Sequence, residues 1–86
     1  MNMSYIVIEL QTNAQGSVSN VVWAYADENQ VLAENQAFSK YHSVLSAAAV
    51  SAVPVHSCVI LRNDGTQIAG QAYKHGEEPT PEPNAD

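Results

Sequence analysis

Basic residues are scarce: Lys40, Arg62 and Lys74 are the only three in a chain of 86. That is too few to line a surface that follows a phosphate backbone, so nucleic-acid binding is not expected. Cysteine is scarcer still, Cys58 standing alone, which rules out an intrachain disulfide and a cysteine-based metal site within one chain. A free cysteine among Val55, His56, Val59 and Ile60 reads as a small buried hydrophobe rather than a reactive thiol. No apolar run approaches the roughly 20 residues of a membrane span. Met1 to Leu10 lacks the basic start and small-residue cleavage site of a signal peptide. Together these absences predict a chain that stays in the cytoplasm, away from membranes.

Acidic residues are present but unevenly spread. The formal charge is −6, from nine acids against three bases. Glu77, Glu78, Glu82 and Asp86 fall in the GEEPTPEPNAD ending, which also holds Pro79, Pro81 and Pro83 and offers nothing for a core. Residues 76–86 therefore read as a disordered, solvated acidic tail, and residues 1–75 as one domain. A hydrophobic content of 45% argues that this domain folds. A domain so small buries only about 60% of the surface its unfolded chain exposes. Association with further copies would add to that burial.

The stretch Ser39 to Leu61, SKYHSVLSAAAVSAVPVHSCVIL, is the centre of the domain. At helical spacing, Val31, Glu34, Phe38, Tyr41, His42, Leu45, Ala48, Ala49 and Ala52 share one arc, as expected of a helix lying on a sheet. Pro54 lacks a backbone N–H and forces Val53 out of the α region, which ends the helix near Ser51 and starts extended chain. Asp27 and Gln30 have a capping-box spacing, but Leu32 falls outside the arc, so the helix either begins late, near Glu34, or has an irregular first turn; it is placed over about residues 30–51.

Before that helix, Tyr5 to Leu10 alternates, with Ile6, Ile8 and Leu10 on one face and Tyr5, Val7 and Glu9 on the other. Val18 to Ala26 also alternates, with both faces apolar, and Gly16 makes the connection a hairpin. After the helix, Val55 to Arg62 and Gln67 to Lys74 flank Asn63-Asp64-Gly65-Thr66, which suits a type I′ hairpin turn. That turn pairs His56 with Tyr73, and Gly70 marks a bulge or a close approach. The expected fold is α+β: a single ββαββ domain, a four-stranded, largely antiparallel sheet with one helix on one face. Strands apolar on both faces need a second partner for the uncovered face. Val21, Trp23 and Tyr25, or else their neighbours along the strand, are the candidate interface, and the partner is another copy.

Catalytic patterns are absent. His42, His56 and His75 show no HxH or HExxH spacing, so no metal site is expected and no cofactor is implied. Ser43 and Ser57 adjoin histidines in sequence, but adjacent side chains on a helix or strand diverge. A hydrolase or metal site using His42, His56 or His75 is the minor alternative to a non-enzymatic protein. Lys40-Tyr41-His42 and Tyr73-Lys74-His75 each place a ring, a cation and an imidazole together. With His56 they are the candidate contacts for an anionic or nucleotide-like ligand.

The words YIVIEL, SKYHSVLSAAAVS and PVHSCVIL, with the Tyr73-Lys74-His75 ending, together resemble a group of short uncharacterised proteins of Gram-positive gut bacteria and their prophages. The similarity spans nearly the whole chain, which departs from the pattern by an insertion between Tyr25 and Lys40. The group's genes often lie near phage tail and lysis genes. The resemblance implies a phage-associated accessory or assembly protein in the bacterial cytoplasm, with a phage or host protein as a further partner. The alternative it leaves is a sponge for a nucleotide immune signal. No established activity comes with the group, so no residue roles are carried over.

Overall fold

Alternation in the first half of the chain becomes a hairpin. In the computed structural model, which describes residues 4–75, β1 (Ser4–Thr12) pairs antiparallel with β2 (Val18–Ala26) in an unbroken register from Ser4↔Ala26 to Thr12↔Val18. Helix α1 (Gln30–Ala48) follows, then β3 (Val55–Arg62) and β4 (Gln67–Lys74). The strand order is β2-β1-β3-β4, all neighbours antiparallel, so β2 and β3 run parallel on either side of β1 and α1 makes the crossover between them. This is the expected ββαββ, α+β architecture. The tail expected over residues 76–86 lies outside the described residues.

Both hairpin loops follow one design. Gly16 and Gly65 take φ of 88° and 90°, the left-handed region that side chains avoid. The Gly16 N–H donates to the Asn13 carbonyl, and the Gly65 N–H donates to the Arg62 carbonyl. Asp64 keeps a negative φ, so the expected type I′ turn is replaced by a type I turn followed by a glycine bulge, the three-residue hairpin solution. The Thr66 N–H donates to Asp64 Oδ1 at 2.9 Å and holds that carboxyl below its usual range. The loop closes on Arg62 and Thr66 and leaves Leu61 opposite Gln67. The extra residue of a bulge then shifts the register by one, so that from Ile60↔Ala69 to Val55↔Lys74 the strands place His56 opposite Tyr73, the expected pairing. At Gly70 the backbone makes a close approach, since a Cβ there would meet Val59 Cγ1 at 3.1 Å. The bulge itself lies between Ile60 and Leu61.

Asn29 starts the helix, its side chain accepting from the Leu32 N–H, while Asp27 Oδ1 accepts from Asn29 just before it. The capping position therefore lies two residues after Asp27. The helix ends at Ala48, earlier than Pro54 alone implies. Its buried side is Ala33, Ala37, Tyr41, Val44, Leu45 and Ala48. Tyr41, Leu45 and Ala48 belong to the expected stripe, whereas Val31 is 65% exposed. The stripe is rotated because three alanines let α1 lie close to the sheet. Tyr5 and Val7 of β1 and Cys58 and Ile60 of β3 meet them in the core.

Candidate functional site

Alternation along the strands sorts the sheet into two faces. The face under α1 carries Tyr5, Val7 and Glu9, paired across β2 with Tyr25, Trp23 and Val21 and across β3 with Arg62, Ile60 and Cys58. Besides Arg62, three polar residues sit on this face of β1 and β3 beyond the core: Glu9 and Gln11 on β1 and His56 on β3, the last 5% exposed. His56 Nε2 lies 2.5 Å from Glu9 Oε2, and His56 Nδ1 lies 3.0 Å from Ser51 Oγ in the loop after α1. Gln11 donates to the same Glu9 oxygen at 3.1 Å, and the Val53 N–H donates to Ser51 Oγ at 3.1 Å.

With Nε2–H donating to Glu9, the Ser51 hydroxyl can donate to Nδ1, and every atom in this chain then has a partner. The chain ties the sheet to the loop that carries the backbone from α1 into β3. It has the connectivity of a Ser-His-acid relay, but the imidazole is enclosed and has no open side for a leaving group. Cys58, opposite Glu9 and fully buried, has its thiol pushed up to about 11 by burial and then by the Glu9 charge, so it is no nucleophile at neutral pH.

The candidate ligand residues separate. Tyr41 is in the core, where burial and then Cys58 and Tyr73 push its phenol up. Lys40 stands over the Trp23 ring at 4.9 Å from its centroid. It lines a shallow depression of about 370 Å³ with Tyr25, Gln36, Ser39 and Ser43. His42 is exposed on the helix, in ring contact with Phe38 and Tyr41. Lys74 lies on the other sheet face, opposite Val55. His75 stacks on Tyr73, with ring planes 1° apart, and its Nε2–H donates to the Ala48 carbonyl at 2.7 Å. It thus closes the helix C-terminus and makes no pair with His56. The structure brings His56, Tyr73 and His75 to one end of the sheet and leaves Lys40 and His42 on α1. Among the described residues no group of three His, Cys, Asp or Glu is placed to hold a metal ion.

Glu9, Gln11 and Ser51 escaped sequence reading. A signal existed for Glu9, a lone acid in phase with Tyr5 and Val7 inside an apolar strand. None existed for Ser51, which is brought in only by the bend before Pro54.

Among the described residues the second face has no helix on it. Ile6 and Ile8 of β1 lie between Ala24 and Val22 of β2 and Leu61 and Val59 of β3, and Leu10 lies between Asn20 and Ser57. Lys74 at a corner is its one charged side chain among the described residues. Trp23 and Tyr25, expected at an interface, pack instead against the core cluster under α1. Val21 shares their face, 46% exposed beyond the reach of the helix. The uncovered apolar surface is thus made by their neighbours Val22 and Ala24. No helix among the described residues is long and apolar enough to cross a membrane. No protein-family model matches the chain, and neither a curated protein nor a solved structure does.

Proposed function

We propose that the protein is a non-enzymatic accessory or assembly protein, phage-associated as its sequence resemblance implies, that works as a homo-oligomer through its uncovered sheet face. The observation that carries this is the apolar row from Val22 through Ile8 to Val59, with no acid in it. Four strands about 4.8 Å apart and eight residues long make a face of roughly 500 Å². Two such faces in contact bury roughly 1,000 Å², the lower bound of a stable interface. A second copy suits the surface because it is nearly uncharged, giving an oppositely charged partner almost nothing to pair with. Light scattering at micromolar concentration tests this: oligomers are expected for the parent chain, and Ile8→Lys should reduce their size without unfolding the domain. A strict monomer at that concentration removes the reading.

A second reading is a small-ligand binder, supported by the depression beside Lys40 and by a cleft of about 220 Å³. Gln11, Val18, Val53 and Pro54 line that cleft, with Gln11 linked to Glu9. Mass spectrometry of material released on denaturation tests it. A nucleotide-like compound in stoichiometric amount supports the binder, and an empty protein with no thermal shift across cyclic nucleotides and ADP-ribose derivatives removes it.

A further inference from the structure

Two strands end the sheet, and they are not alike. Strand β4 is interrupted by the bulge opposite Ile60/Leu61, carries Gly70 in its middle and ends in Lys74. These are devices that keep an edge from pairing. Strand β2 has none of them. Over Val18–Ala26 it reads VSNVVWAYA, with no charge, proline or glycine, and its register with β1 is unbroken for nine residues. All its residues but Trp23 and Tyr25 are exposed.

The backbone groups of β2 that no other described residue uses can be named. Asn13 N–H bonds the Ser17 carbonyl at 2.9 Å and closes the hairpin as a hydrogen-bonded pair. Alternation along an antiparallel ladder then makes Leu10↔Asn20, Ile8↔Val22 and Ile6↔Ala24 the non-bonded pairs. The N–H and C=O of Asn20, Val22 and Ala24 therefore point away from β1, along the free edge.

We propose that β2 is a pairing edge and that its partner is β2 of a second copy, joined antiparallel into a continuous eight-stranded sheet. A two-fold axis perpendicular to the sheet demands the antiparallel sense and makes the contact self-complementary. A copy of the same strand has the matching length and brings no charge of its own. Both α1 helices then lie on one side, and the apolar face on the other side doubles in area. The proposal is independent of the face-to-face contact proposed above, because it uses backbone groups at the edge and not side chains on the face. The two together give a dimer of dimers.

Amide hydrogen exchange by NMR on the full chain tests it, because edge pairing protects backbone amides and face packing does not. The expected result is exchange at Asn20, Val22 and Ala24 at least about 100-fold slower than at the outward-facing amides of β4. That protection should be lost in Val21→Lys, which puts a charge at the edge without touching the uncovered face. Asn20→Pro, which removes one outward N–H and leaves the ladder to β1 intact, should behave alike. Ile8→Lys should abolish the face contact and leave β2 protected, separating the two proposals. Exchange at Asn20, Val22 and Ala24 as fast as on β4 overturns the inference, whatever the oligomer size.

Discussion

His56 is the buried polar residue on which the sheet and the loop after α1 depend, and its two ring nitrogens set the cost of each change around it. Glu9→Ala leaves Nε2–H without its acceptor in a site 5% exposed, a loss of about 1–3 kcal/mol. Gln11→Ala removes a bond to Glu9 that no buried atom requires, and less than about 1 kcal/mol is expected. Urea unfolding of the two variants beside the parent checks the order. Cys58 adds a pH dependence of definite sign. Its folded thiol is raised from an ordinary 9.0 to about 11, so the unfolded chain gives up the proton first. The contribution to stability is full below about pH 9 and is lost as pH rises through about 11. Thiol labelling at pH 8 should be slow in the folded protein and immediate in denaturant. Fast labelling of native protein would contradict the burial.

Elements respond according to whether a position is constrained by backbone or by packing. Gly16 and Gly65, at φ of 88° and 90°, accept a side chain only with left-handed strain. Each change to alanine should cost about 1–2 kcal/mol despite the open space around both glycines. On α1, Ala37 is fully buried at the close approach to the sheet, whereas Val31 is exposed. Ala37→Leu should therefore destabilise by about 1–3 kcal/mol through overpacking. Val31→Ala should stay within about 0.5 kcal/mol. Thermal melts of the pair discriminate the observed buried side from the stripe that periodicity suggests, which would reverse the order.

For the whole molecule, the core cluster runs from Tyr5 to Ile60, with Tyr73 packed against it. A chain ended at His75 keeps all of it and loses four acids, taking the net charge from −6 to −2. It should melt within about 2 °C of the parent, well under 1 kcal/mol for a domain of this size. It should also keep its oligomeric state. A large drop or a change of assembly would mean that residues 76–86 contribute contacts to the domain.

Local patterns were enough for the elements and their order, because alternation, a proline and two glycine turns act within a few residues. The His56–Tyr73 pairing expected from a two-residue turn holds for a different reason: the loop has one residue more, and the bulge between Ile60 and Leu61 offsets it. Alternation also separated Tyr5, Val7 and Glu9 from Ile6, Ile8 and Leu10. Which of those faces the helix covers was decided only in three dimensions, by a crossover that carries α1 from β2 past β1 to β3. The helix side turned too, since hydrophobic periodicity gives weight to Val31, while close packing on a sheet selects the small Ala33, Ala37 and Ala48. Glu9 and His56 are 47 positions apart and meet only because β3 pairs with β1, a choice of neighbour that depends on the whole folded chain and not on either strand.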